Sequence, residues 1–250
     1  TAFTTKEGLS DNQVKCLYID REGNLWIGTA KGGLNRYKDG KFTIYTKKQG
    51  LADNLVRSIC EDREGALWIG TKEGLHCFKD GKWALYTTKQ GLTSDVIRCI
   101  YESREGSLWI GTDGRGLNHF KDGKFTAFTA KDGLVNDTVW CIHEDRGKNL
   151  WIGTSGGGVS CRKNGKFINI TTKEGLFDDT IHQILEDGSG NLWISCNKGI
   201  FQVSRQEIDA LLGSFTYPPQ DMSLARAKLA DVNTLIRKTV KWTEAQKTQI

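Results

Sequence analysis

The hexapeptide Asn24-Leu25-Trp26-Ile27-Gly28-Thr29 returns four times along the chain, and this recurrence constrains the fold more than any other feature. Its echoes are Ala66 to Thr71, Ser107 to Thr112, Asn149 to Thr154 and Asn191 to Cys196, with the tryptophans 42, 41, 42 and 42 residues apart. A second marker, Gly-Leu at 8–9, 50–51, 91–92, 133–134 and 175–176, keeps the same steps. Two unrelated markers with one period define a repeat array. A period of about 40–45 residues suits either a four-stranded propeller blade or a pair of helices.

The interior of the repeat decides between them. Val14 to Asp20 is β-branched and aromatic, Arg21-Glu22-Gly23-Asn24 reads as a turn, and Leu25 to Thr29 is a short apolar run. A glycine-bearing turn follows at Ala30-Lys31-Gly32-Gly33, then Leu34 to Tyr37, the tight turn signal Lys38-Asp39-Gly40, and Lys41 to Thr46. Turns this frequent leave no room for helices of about ten residues or more. The sequence therefore predicts an all-β chain, a β-propeller of four-stranded antiparallel blades (strands A to D), with five blades over 1–203. The tryptophan of each strand B fills the wedge between sheets, and Gly28, Gly70, Gly111 and Gly153 admit a close neighbour. The chain opens on what resembles the end of a strand D, and the fifth blade lacks its own. Residues 2 to 5 are therefore expected to pair beside Gly199 to Val203 and close the ring, with a fragment of a larger ring as the alternative. Starting inside a repeat without an initiator Met, the chain reads as a processed or excised piece.

Residues 204–250 form a helical tail. Ser204-Arg205-Gln206-Glu207 is a capping box, Ile208, Leu211 and Leu212 give a short helix stopped by Gly213, and Pro218-Pro219 marks a linker. Apolar residues at helical spacing from Ser223 to Lys241 predict an amphipathic helix, which packs on the propeller or leads to a partner.

Charge and cysteines exclude several functions. The 35 basic and 30 acidic residues are spread over all repeats, giving no footprint for nucleic acid. No run reaches the roughly 18 apolar residues that a membrane span needs. Of the seven cysteines, Cys16, Cys99 and Cys141 share one strand-A position and Cys77 and Cys161 one strand-C position, a ring-equivalent placement, and all seven are expected to remain unpaired. The four histidines lie in different blades without metal spacing, so neither metal nor cofactor is expected. The cluster Gly153-Thr154-Ser155-Gly156-Gly157-Gly158 lacks the lysine of a phosphate loop and aligns with the B–C turn of every other blade.

The repeat serves as its own control for a ligand site at the mouth of the central channel, where the D–A turn delivers residues. Two positions before the first strand-A aliphatic stand Asn12, Asn54, Asp95, Asp137 and Asp179, which also suit turn closure. One position after it stand Lys15, Arg57, Arg98, Trp140 and His182, whose identity changes from blade to blade. Trp140 has no aromatic counterpart in the other blades. The candidate binding set is Asp95, Arg98, Asp137, Trp140, Asp179, His182, Lys15 and Arg57: an aromatic face with polar edges, as a sugar requires. The alternative for Trp140 is packing between blades.

The stretches Gly50 to Leu75 and Gly133 to Val159 carry the composite Gly-Leu-x-x-Asn-x-Val…Glu-Asp-x-x-Gly-x-Leu-Trp-Ile-Gly-Thr, which resembles the two-component regulator propeller repeat. The resemblance covers about 1–203. It implies a periplasmic, non-catalytic sensor of a bacterial receptor that binds a small molecule, often glycan-derived, and signals to a histidine kinase or a diguanylate cyclase. Family propellers usually have seven blades, often in tandem, so the C-terminal helix would lead to a second propeller or an output domain. The competing readings are a protein–protein interaction scaffold and a propeller glycosidase or lyase.

Overall fold

Runs of β-branched and aromatic residues between glycine-bearing turns become strands where the repeat places them. The computed structural model describes residues 2–214. Blade 1 holds β1 (Val14–Ile19), β2 (Leu25–Thr29), β3 (Leu34–Lys38) and β4 (Lys41–Tyr45). Blade 2 holds β5 (Val56–Glu61), β6 (Leu67–Thr71), β7 (Gly74–Lys79) and β8 (Lys82–Tyr86). Blade 3 holds β9 (Ile97–Glu102), β10 (Leu108–Thr112), β11 (Leu117–Lys121) and β12 (Lys124–Phe128). Blade 4 has β13 (Val139–Glu144), β14 (Leu150–Thr154), β15 (Val159–Lys163) and β16 (Lys166–Ile170), and blade 5 has β17 (Ile181–Glu186), β18 (Leu192–Cys196) and β19 (Gly199–Val203). Each sheet keeps chain order, and the whole is a five-bladed β-propeller with one C-terminal helix, α1 (Arg205–Ser214).

The second sequence marker has a physical origin in the loop from strand D to the next strand A. Thr46 caps a short 3-10 turn, Lys47–Gln49: its hydroxyl accepts from Lys48 N, and the Gln49 side chain accepts from Thr46 N at 3.0 Å. Gly50 then ends the turn at φ +109°, a left-handed conformation open to glycine, and Leu51 drops into the core. The same device recurs at Thr88–Gln90 and Ala130–Asp132, so Gly-Leu repeats because a left-handed cap must precede a buried anchor.

The chain start adopts this loop rather than the strand expected of it. Thr4 N donates to Glu7 Oε2 at 2.7 Å and Gly8 sits at φ +107°, while the Phe3 ring lies 5.1 Å from Tyr37 and 5.9 Å from Phe42 of blade 1. Residues 2–4 carry no strand, and the fifth sheet has three strands, β17-β18-β19. The expectation of a closing strand is therefore corrected: aromatic packing on blade 1 and the Thr4–Glu7 cap hold this segment.

The chain divides into two compact units, up to Ile142 and from His143, with the division inside β13. In the first unit the inner strands β1, β5 and β9 lie side by side. Trp26 packs against Phe78 of the next blade at 6.4 Å between rings, and Trp68 against Phe120 at 5.5 Å. The glycine of each Trp-Ile-Gly triplet marks where the next blade arrives. A Cβ on Gly28 would fall 2.7 Å from Val56 Cγ1, on Gly70 2.7 Å from Ile97 Cγ2, and on Gly111 2.6 Å from Val139 Cγ1. Arginines clasp the A–B turns: Arg21 Nη1 donates to the Arg63 carbonyl at 2.8 Å, and Arg63 Nη2 donates to the Arg104 carbonyl.

In the second unit Arg146 repeats the clasp, its Nη1 reaching the Gly188 carbonyl at 2.8 Å. The indoles of Trp26, Trp68, Trp151 and Trp193 all donate to an aspartate six residues earlier, Asp20, Asp62, Asp145 and Asp187. Blade 3 has Ser103 there instead, and Trp109 stacks on His119 at 4.1 Å while His119 Nε2 bonds Ser107 Oγ at 2.7 Å. Trp193 corrects the expectation of uniform burial: it is 43% exposed, against 2–5% for the other four.

Helix α1 begins at the expected capping box, with Glu207 Oε2 accepting from Ser204 N at 2.6 Å and Ser204 Oγ accepting from Glu207 N at 3.2 Å. Ile208, Leu211 and Leu212 are buried. The helix passes through Gly213, read from sequence as its stop, to Ser214, since an interior glycine costs a helix only about 1 kcal/mol. The expected helix over 223–241 lies outside the described residues.

All seven cysteines are free thiols. Burial pushes Cys16 and Cys161 up to about 12, Cys60 up to about 11, and Cys99 up as well. Only the thiolate is nucleophilic, so these four should resist iodoacetamide at pH 8 in the folded protein and react at once in denaturant, as mass spectrometry of modified peptides would report.

Candidate functional site

The variable position of strand A has a structural basis: in at least four blades it is the extra residue of a β-bulge. On β1 the pairing with β2 jumps from Val14 to Cys16, leaving Lys15 outside the ladder. On β5 it jumps from Val56 to Ser58 around Arg57, on β9 from Ile97 to Cys99 around Arg98, and on β17 from Ile181 to Gln183 around His182. A bulged residue is released from ladder pairing and its side chain is re-aimed, so its identity can change without cost to the sheet. Trp140 holds the same second position on β13 and is half-buried.

The acidic candidates have a defined structural task. Asp95 Oδ1 accepts from Thr88 N, Asp137 Oδ1 from Ala130 N and Asp179 Oδ1 from Thr172 N, each at 2.7 Å, and Asn12 and Asn54 do the same for Thr5 and Lys47. Their carbonyls tie successive blades: Gly33 N donates to Asn54 O at 3.0 Å, Gly116 N to Asp137 O and Gly158 N to Asp179 O at 2.7 Å. Asp95, Asp137 and Asp179 thus shape the loops beside the bulges, and Asp179 commits both oxygens to its turn, Oδ2 accepting from Thr172 Oγ1 at 2.7 Å.

One part of the site is absent from the sequence expectation. The residue after each strand B is Ala30, Lys72, Asp113, Ser155 or Asn197, and in two blades it meets the bulged side chain. In blade 3 Arg98 Nη2 meets Asp113 Oδ2 at 2.7 Å, and in blade 5 His182 Nε2 meets Asn197 Oδ1 at 2.8 Å. The signal was present in the sequence as a second variable position 15 residues after the first, visible only once the two were compared by blade.

In the first unit the structure brings together Lys15, Arg57 and Arg98, on neighbouring inner strands bridged by a bond from Ile100 N to Ser58 Oγ at 3.0 Å. Lys15 is exposed, and Arg57, Arg98, Asp95, Asp137 and Trp140 are half-buried. Burial, then the adjacent Arg98, draws Arg57 below the ordinary guanidinium value. Asp179 and His182 belong to the second unit. Among the described residues no cluster of three or more His, Cys, Asp or Glu could hold a metal. No described helix is long and apolar enough to cross a membrane.

A model of the two-component regulator propeller repeat matches residues 8–31, 50–73, 91–114, 133–156 and 175–198. The chain belongs to the two-component regulator propeller family. Each matched segment of this regulator propeller runs from the Gly-Leu marker through strands A and B, and all eight candidate residues fall inside one. Propellers of this family are sensor domains of two-component signalling systems and are generally non-catalytic. Among solved structures the chain is similar to the extracellular domain of the hybrid two component system BT3049 from B. thetaiotaomicron, with TM-score 0.65 and 24% identity over 84% of this chain and 35% of that one. The extracellular domain of BT4673 from the same organism matches with TM-score 0.53 and 24% identity over 77% and 36%. Virginiamycin B lyase from Staphylococcus aureus matches with TM-score 0.59 and 18% identity over 80% and 72%. At these identities the likeness is one of fold. The chain spans about a third of the two sensor chains. No curated protein sequence matches it significantly.

Proposed function

We propose that this regulator propeller is the ligand-sensing, non-catalytic module of a bacterial signal-transduction receptor, binding a small molecule, an oligosaccharide, on its inner strands. The observation that carries the reading is the bulge: at least four blades offer one side chain freed from the ladder, and these differ where the rest of the repeat is constant. A scaffold that fixes everything except one aligned position per blade is suited to recognition. In the first unit Trp140 supplies the apolar face for a sugar ring, Lys15, Arg57 and Arg98 supply donors, and Asp95 and Asp137 shape the adjoining loops, while His182 and Asp179 hold the equivalent positions in the second unit. Family membership and the extracellular location of the similar solved domains support a periplasmic setting, and the C-terminal helix would lead to a second propeller or output domain. A second reading, protein–protein interaction, is favoured by the exposed apolar side chains of Val14, Leu17, Trp193 and Ile200.

A thermal-shift screen of neutral and acidic oligosaccharides tests the first reading, since a ligand stabilises by RT ln(1 + [L]/Kd). For any saccharide that binds, Trp140→Ala should weaken affinity by roughly thirtyfold, the loss of about 2 kcal/mol typical of an aromatic anchor. The melting temperature of the unliganded variant should fall by only about 2–4 °C. A collapse of the fold in this variant would assign Trp140 to packing between blades.

A further inference from the structure

Blade 2 departs from the pairing that blades 3 and 5 establish at the bulge. Where Arg98 has Asp113 and His182 has Asn197, the equivalent residue in blade 2 is the cation Lys72. Arg57 consequently has no hydrogen-bond or ion-pair partner among the described residues, and its Nη1 is shielded from solvent with its bonding capacity unused. The two acids whose charge reaches Arg57 are Asp113 and Asp53. Asp113 is committed to Arg98, while Asp53 accepts from Leu55 N at 2.7 Å and pairs with Lys47 at 3.7 Å. Arg98 sits on one neighbouring inner strand, and the exposed Lys15 occupies the same position on the other. A shielded guanidinium flanked by cations and deprived of a counter-ion is unfavourable alone and favourable once an anion arrives.

We propose that Arg57, with Arg98 on the adjacent inner strand, receives an anionic group of the ligand, so that the sensed molecule is an acidic saccharide bearing a carboxylate or a sulfate ester. This rests on the ligand-sensing reading and narrows it to a charged class. The planar guanidinium offers two parallel N–H donors to either group, and Asp113 keeps Arg98 in register. Blade 3 is the internal comparison, since there the same bulge arginine is neutralised by the protein itself.

Calorimetry on the full chain at low ionic strength, with tetragalacturonate, inorganic sulfate and neutral maltotetraose as probes, tests this. Tetragalacturonate or sulfate should bind, with affinity falling as salt rises. Maltotetraose should bind far more weakly. Arg57→Gln should weaken the anionic probe by roughly tenfold to a hundredfold, the worth of a charge-assisted hydrogen bond. Lys72→Asp should do the same without touching Arg57, by handing it the counter-ion that Arg98 already has. Both variants should melt where the parent does. Sulfate binding without uronate binding supports the site and assigns it to sulfate esters. Maltotetraose binding as tightly as the acid, or an anionic probe indifferent to both substitutions, overturns the anionic assignment and leaves the sensor reading standing. No binding by any of the three probes sinks both.

Discussion

Asp145→Ala should cost about 3–4 kcal/mol of stability. Asp145 is fully buried and serves three donors at once: Asn149 N at 2.9 Å, Asn149 Nδ2 at 2.8 Å and Trp151 Nε1 at 2.9 Å. Removing the carboxylate leaves an indole N–H and an amide stranded in the interior, each of which costs about 1–3 kcal/mol when unpaired. Asp145→Asn should lose less, because one oxygen still accepts. The repeat provides a control in Asp187, which makes the same bonds to Asn191 and Trp193 where the indole is open to water. Solvent replaces those bonds, so Asp187→Ala should barely move the urea midpoint. Equal losses at the two aspartates, followed by tryptophan fluorescence in urea, would refute the burial argument.

Gly28→Ala is expected to destabilise by about 1–3 kcal/mol, the range for overpacking a filled core. The added methyl would meet the Val56 carbonyl at 2.9 Å as well as its side chain, and backbone cannot yield as a flexible side chain can. Val56→Ala removes part of the obstruction, so the double variant should lose less than the two single losses added together. Gly188→Ala, where nothing lies within 4 Å and φ is not positive, should stay within about 0.5 kcal/mol of the parent. Additive losses at Gly28 and Val56 would show that the methyl is accommodated elsewhere.

Much of this fold was legible in the sequence because each blade is a local object. The strands, the Asp39-Gly40 hairpin turn with φ of +48° and +78°, and the capping box at Ser204 depend on residues within a few positions of one another. What escaped were relations between blades. Residues 2–5 look like a strand D by similarity, yet which edge a strand joins depends on competing contacts, and Phe3 found Tyr37 and Phe42. The tryptophan motif predicts burial everywhere, but Trp193 shows that burial belongs to the neighbour as much as to the motif. The candidate site was found by asking which aligned position varies. Its bulge geometry and the partner residue after strand B were hidden because both are cross-strand facts, carried by register rather than by order in the chain.

The arginine clasp described above has an evolutionary consequence. Arg21, Arg63 and Arg146 each reach into the next blade, and each ends on a main-chain carbonyl. A carbonyl is present whatever residue supplies it, as the acceptor at Gly188 shows. The linkage therefore asks the receiving blade only for a turn of the right shape. A duplicated unit carries its own donor and finds an acceptor already waiting, so whole blades can be gained, lost or exchanged while the linkage between neighbours persists.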